Sequence, residues 1–215
     1  MADKTTKIHQ RYKLQNGNEV PGVTTVIGIL DKPALLHWAW EQGKAGLDLY
    51  KTRDKAASIG TIAHYLCECE LKGEKPMLDE YSKSDIDKAE TSFLAFLEFR
   101  KNNELTMIGS ELQLVSEQYR YGGTIDIYGQ MKDKKVLLDL KTSSGVYPEM
   151  RLQLSAYRQL LIENGQQVDS CQLLRIDKET GEFVHYTFDD LSAEWSMFQA
   201  MLPVYELKKQ IWKKK

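Results

Sequence analysis

Apolar positions along the chain follow two different periods. In residues 82–103, Ile86, Ala89, Phe93, Phe96 and Leu97 recur at helical spacing, with Arg100 on the same course. That period predicts a long amphipathic helix. Further on, the period shortens to two. "SELQLVSEQ" (110–118) and "GGTIDIYGQ" (122–130) alternate apolar and polar residues, and "KVLLDLKT" (135–142) follows as a third strand. Residues 148–164 return to a helical pattern. "CQLLRID" (171–177) and "EFVHYTF" (182–188) read as strands around an "ETG" turn, and a last helix covers about 190–212. Upstream, 33–50 reads as a helix opened by Pro33, with Trp38 and Trp40 expected in the core. A second helix spans 55–72, beginning through Ser58–Thr61. Asn16-Gly17 signals a hairpin within 9–20, and Thr24 or Thr25 is expected to cap a short helix in "PGVTTVIGIL". Helices followed by strand–strand–strand–helix–strand make an α/β plan with a mixed sheet. No repeat and no Pro/Gly/Ser linker divides the chain. One domain over 1–215 is expected: 1–57 hairpin and helices, 58–188 core, 189–215 helix and basic tail.

Strand alternation then places the charges. Val136, Leu138 and Leu140 share one side of the third strand, so Asp139 and Lys141 share the other. In the second strand Ile125 and Ile127 face one side and Asp126 the opposite one. A tight turn at Lys132-Asp133 sets Asp126 across from Asp139, and Thr124 across from Lys141. Opposed residues have Cβ atoms about 5 Å apart. Two carboxylates that close repel unless a cation lies between them, and hard oxygen ligands favour magnesium or manganese. Leu112 and Leu114 face the core, which leaves Glu111 and Gln113 on the other face. Glu111 is then either within reach of the acidic cluster or a plain exposed strand residue. An ion-paired cluster without metal is the competing reading of these charges.

Composition adds bounds. With 42% hydrophobic and 28% charged residues, the 215-residue chain can bury an ordinary globular core. Its formal net charge of -2 means that any site for a polyanion must be local. The polar start "MADKTTKIHQ" is unlike a signal peptide, and the apolar run "VTTVIGIL" is too short for a bilayer. A cytoplasmic protein with no membrane partner is expected. Cys67, Cys69 and Cys171 are too few for a disulfide framework, and Cys67-x-Cys69 is too sparse for zinc or an iron–sulfur cluster without more ligands; they read as small buried residues.

Gly123-Thr124-Ile125-Asp126 and Asp139-Leu140-Lys141 together resemble the PD-(D/E)XK nuclease superfamily. Gly60 and His64 in "GTIAHYLCE", and Gln153 with Tyr157, resemble motifs of its RecB-like branch, which includes phage exonucleases. The matching motifs run from about 58 to 177. "VPGVTTVIGILDKPALLHWAW" also looks like phage and mitochondrial members. The resemblance implies a restriction-endonuclease-like core, a mixed central sheet flanked by helices, with the N-terminal helices as an elaboration. It implies Asp126, Asp139 and Lys141 as catalytic residues. It implies a metal site of His64, Asp126, Asp139 and the Leu140 backbone carbonyl, with Glu111 as a further candidate. Lys141 would position or activate the attacking water and offset developing charge. Gln153 and Tyr157 would support the site or the DNA backbone. Arg151 and Arg158 flank that helix as phosphate contacts, as could Lys32, Lys44 and the C-terminal "KKQIWKKK". Glu68 lies one turn from His64, as a ligand or a solvated charge. Some members carry a four-cysteine iron–sulfur cluster, which three cysteines do not support. The implied activity is a Mg2+-dependent DNA exonuclease, with Mn2+ substituting, of phage-type recombination or DNA processing in a bacterial host cytoplasm. Its partners would be DNA, further copies of itself or a single-strand annealing or binding protein. The alternatives are a structure-dependent endonuclease on the same core and a non-catalytic DNA-binding protein.

Overall fold

The computed structural model describes residues 11–143 and 145–212. The period-two segments become strands β3 (Leu105–Ser116), β4 (Tyr121–Met131), β5 (Lys134–Lys141), β6 (Ser170–Ile176) and β7 (Phe183–Phe188). Among the described residues these form one mixed sheet in the order β3-β4-β5-β6-β7. β5 and β6 run parallel, because the crossover between them is a helix, α5 (Pro148–Glu163). The other neighbours are antiparallel. β3 starts earlier than the expected 110, since Leu105 and Met107 already alternate into the core.

Helices cover both faces of the sheet. Val23 and Val26 of α1 (Val23–Ile27), Leu154 and Tyr157 of α5, and Phe198 of α6 (Ser192–Trp212) pack with Ile125, Leu137 and Leu173. On the opposite face, Cys67 of α3 (Leu49–Lys72) and Phe96 and Phe99 of α4 (Lys83–Asn102) pack with Ile127, Val136, Leu138 and Leu140. A central strand covered on both sides reads as a continuous apolar run, which is why Leu137–Leu140 sits inside one. Ser82 caps α4 through the Asp85 amide.

Several boundaries differ from expectation. The helix expected over 33–50 is α2 (Pro33–Lys44), followed by a break. Gly46 adopts a left-handed φ of 69°, and Leu47 N donates to Gln42 O at 3.0 Å, closing the helix end. Asp48 then accepts from Lys51 N at 3.1 Å, so α3 begins at Leu49 rather than 55. α2 packs on the outside of α3 and none of its residues is buried, so Trp40, expected in the core, is 57% exposed. α1 starts at Gly22 with no side-chain cap, not at Thr24 or Thr25. The three cysteines are buried and free.

The N-terminal hairpin pairs β1 (Tyr12–Lys13) with β2 (Glu19–Val20) around Gly17 at φ 84°. It is stitched to the sheet where Gly122 N donates to Pro21 O at 2.9 Å. His9 and Gln10 of the expected hairpin, and Lys213–Lys215 of the basic tail, lie outside the described residues. Among the described residues no helix is long and apolar enough to cross a membrane.

Candidate metal centre

β4 and β5 pair from Met131↔Lys134 to Ile127↔Leu138, the register expected from a turn at Lys132-Asp133. The ladder stops there, one pair short of Asp126 and Asp139. Instead of facing Asp139, Asp126 reaches across the gap, and its Oδ2 accepts from Leu140 N at 3.0 Å.

The pleat also breaks at this point. Ile125 packs against α1 and α5 while Ile127 packs against α4, although two residues on one strand should share a face. The physical counterpart lies on β3. Glu111, between the pairs Ser110↔Ile127 and Leu112↔Ile125, has a left-handed φ of 49°. That conformation costs about 1–2 kcal/mol for a residue with a Cβ. Local irregularities of this kind bend strands and re-aim side chains, and they cluster at functional sites.

Three side chains from three elements meet here. His64 of α3, Glu111 of β3 and Asp126 of β4 each place one ligand-type atom within 4.8 Å of the others. His64 Nδ1 stands 3.7 Å from Asp126 Oδ2. Cys67, Glu68, Leu71, Ile127 and Leu140 complete the recess. Burial, followed by the Asp126 charge, pushes the Cys67 thiol far up, so it stays protonated. Glu68 pairs with Lys72. Gly60 lets α3 cross the end of β5, because a Cβ there would lie 2.9 Å from Thr142 Oγ1.

Asp139 and Lys141 occupy the other side of β5, as alternation with Leu138 and Leu140 requires. Asp139 is 1% exposed. Lys141 Nζ stands 2.6 Å from Asp139 Oδ2, yet neither Asp139 oxygen meets a donor at hydrogen-bonding angles among the described residues. Burial lifts the Asp139 carboxyl to about 7; Lys141 opposes that rise and Asp126 adds to it. For Lys141, burial pulls the ammonium down, but Asp139 and Asp126 outweigh it and hold it above the usual lysine range. A buried carboxylate so incompletely matched is costly, and a divalent cation is the partner that would relieve it. Imidazole nitrogen with carboxylate oxygens is a donor set that such a cation accepts.

Gln153 Nε2 donates to Tyr157 Oη at 2.8 Å. Burial first, then the charges of Asp139 and Asp126, hold the Tyr157 hydroxyl well above its usual range, so it stays neutral. Gly123 makes room for that ring; a Cβ there would lie 2.6 Å from Tyr157 Cε1. The two arginines lie elsewhere. Arg151 pairs with Glu194 of α6 and stacks over Phe188, and Arg158 lines a separate cavity with Asp169, Asp190 and Trp195. Lys44 stacks on Trp40, and Lys32 is exposed beside α2.

Two neighbours escaped the sequence reading. Tyr12 Oη and Thr124 Oγ1 lie 2.9 Å apart, fastening the hairpin to the strand that carries Asp126. No local pattern could join residues so distant in sequence. Arg175 is aligned with Lys141 on β6, and its Nε donates to Ser143 O at 2.8 Å, bracing the segment after β5. Its signal was the single charge in an otherwise buried strand.

No protein-family model and no curated protein matches the chain. Among solved structures it is similar to a provisionally assigned exonuclease from Eubacterium rectale: 13% identity, TM-score 0.48, 68% of this chain and 66% of that one. It therefore spans just under two thirds of that protein's length. It is also similar to the alkaline exonuclease LHK-Exo from Laribacter hongkongensis, at 15% identity and TM-score 0.37, over 72% of this chain and 84% of that one. A third similarity, to SSO0001, has 15% identity and TM-score 0.40 over 81% of this chain and 84% of that one. At these scores and identities none of them carries an inference about this chain's chemistry.

Proposed function

We propose that the chain is a divalent-metal-dependent deoxyribonuclease of the PD-(D/E)XK superfamily, in its RecB-like branch, hydrolysing phosphodiester bonds from DNA ends. One observation carries this reading. His64, Glu111 and Asp126 converge where the β4–β5 ladder opens, beside the buried pair Asp139–Lys141. A divalent cation held there would polarise a phosphoryl oxygen and make bound water more acidic at neutral pH.

The protein's own groups then have distinct tasks. The Leu140 amide fixes the Asp126 carboxylate from one side. Asp139 adds negative charge from the adjoining strand, and the Leu140 carbonyl is the further ligand in this reading. Lys141, held as an ammonium by two carboxylates, donates rather than accepts protons. It suits positioning a water or phosphate oxygen and offsetting charge that develops in the transition state. Tyr157, steadied by Gln153, is a neutral donor on the same side as Asp139.

The exonuclease form of the reading, and Mg2+ as the metal, follow the resemblance of Gly60, His64, Gln153 and Tyr157 to the RecB-like motifs. So do a role in phage-type recombination in a host cytoplasm and a partner among copies of the chain or single-strand annealing proteins. Residues 1–215 would act as one unit, with 58–188 carrying the site. The test is incubation with Mg2+ or Mn2+ and either end-labelled linear DNA or a closed circle, beside Asp139→Asn and Lys141→Ala. Loss of the linear DNA alone, abolished in both variants, is the expected result. Cutting of the circle would replace the exonuclease with an endonuclease, and no cleavage of either would leave a non-catalytic DNA-binding protein.

A further inference from the structure

Resting on the nuclease reading, we infer that the exposed face of α3 leading to His64 is a binding track for single-stranded DNA. An α-helix advances 100° per residue, so positions 11 apart return to within about 20° and positions 14 apart to within about 40°. Arg53 and Tyr50 stand at those offsets from His64, on the same face. Ala57 and Gly60 lie between them on the same face; Ala57 is exposed, and Thr142 at the end of β5 approaches Gly60, one turn short of His64. Tyr50 is 68% exposed, and Arg53, Ala57 and Gly60 are all open to solvent to some degree. The face therefore runs from an exposed aromatic ring with a cation over it, past Ala57, to the end of β5 at Thr142, one turn from the metal cluster.

The chemistry of that face fits one class of ligand. Arg53 lies 5.3 Å over the Tyr50 ring. It donates its Nε–H and an Nη2–H to Asp54 at 2.8 and 2.6 Å, two of the five N–H donors a guanidinium has. A second pair of the same kind stands on α2, where Lys44 lies 4.2 Å from the Trp40 ring, which is itself 57% exposed. Exposed aromatic rings interleaved with cations recognise unstacked bases and the phosphates between them. In a duplex the base faces are already stacked on each other and cannot cover Tyr50. At 1.5 Å per residue, Tyr50 lies about 21 Å along the helix from His64, farther than a dinucleotide reaches. The track therefore engages a strand of that length and leaves shorter substrates untouched.

The experiment compares a single-stranded 20-mer, the same sequence as duplex, and a dinucleotide, using wild type, Tyr50→Ala, Tyr50→Trp and Arg53→Gln with Mn2+. Wild type is expected to favour the single strand. Tyr50→Ala should raise KM for the 20-mer by about 5–150-fold with kcat unchanged, the range that loss of one stacked base gives. Tyr50→Trp should restore it, and the dinucleotide should respond to none of the variants. Anisotropy of a labelled single strand in chelator reads the track separately from catalysis. There, Arg53→Gln should lower the salt slope by about 0.7, one phosphate contact. If wild type cuts nothing but these binding losses appear, the nuclease reading falls and the track stands. An unchanged KM and affinity in Tyr50→Ala, an equal loss on the dinucleotide, or a change of oligomeric state that accounts for the loss would overturn the track. The last result would instead make the face a protein-docking surface.

Discussion

Replacing Asp139 with asparagine should make the metal-free protein more stable while removing its response to metal. Burial lifts the Asp139 carboxyl from 3.8 to about 7. At about 1.4 kcal/mol per tenfold, carrying that charge at pH 8 costs the fold roughly 4 kcal/mol. A neutral asparagine side chain at this position avoids that cost. The attraction of Lys141 is already counted in that figure, because it opposes the rise. The expected gain is therefore about 4 kcal/mol, or about 8–16 °C in Tm for a chain of this size. The sign with pH follows from the direction of the shift. The folded state holds the Asp139 proton more tightly than the unfolded state, so this group's stabilisation falls as pH rises from about 4 to about 7. The gap between variant and wild type should therefore open across that window and close below it. Thermal unfolding in chelator from pH 4 to pH 8 measures it. Adding Mg2+ or Mn2+ at about 100 times Kd should raise wild type by about 2.7 kcal/mol and the variant by much less. A variant less stable than wild type at pH 8 in chelator, or a gap indifferent to pH, would refute the assignment of Asp139 as an under-compensated buried carboxylate.

Other expectations test neighbouring parts of the account. Gly123→Ala should push Tyr157 from its seat and cost about 1–3 kcal/mol in denaturant unfolding, since the added Cβ would lie 2.6 Å from the ring; no loss would mean the ring yields freely. His185, whose ring meets Phe99 and whose Nε2 lies 2.9 Å from Gln172 Oε1, has its pKa lowered by burial. Its neutral form stabilises the fold above pH 6.5, and that contribution is lost as pH falls below it, so His185→Gln should flatten the acid limb of the stability profile. His64→Ala should lower the ratio of Mn2+- to Mg2+-supported activity, because imidazole is the donor that favours the softer ion; metal-activation curves with an unchanged ratio would remove His64 from the site.

Much of this architecture was legible because period and register are local. Alternation in 135–142 sorted Val136, Leu138 and Leu140 from Asp139 and Lys141, and the structure keeps that sorting. The turn at Lys132-Asp133 set a register that the ladder follows up to Ile127↔Leu138. Alternation failed one residue later, at Asp126, because the pleat breaks beside a left-handed Glu111. A side chain that prefers other conformations gives no sequence signal of that. The same break raised Glu111 from a secondary candidate to a member of the closest cluster. Trp40 was misplaced for a different reason: an apolar helical pattern predicts a face to be covered, not what covers it. Gly46 did carry the signal that ends α2, a glycine just past a helical run, and reading 33–50 as one helix passed over it.

A crystal soaked in Mn2+ and measured for anomalous scattering tests the central claim most directly. One strong peak is expected in the recess, at about 2 Å from a His64 ring nitrogen and from carboxylate oxygens of Glu111 and Asp126. An empty recess at saturating Mn2+, with His64 and the two carboxylates ordered as they are here, would contradict it.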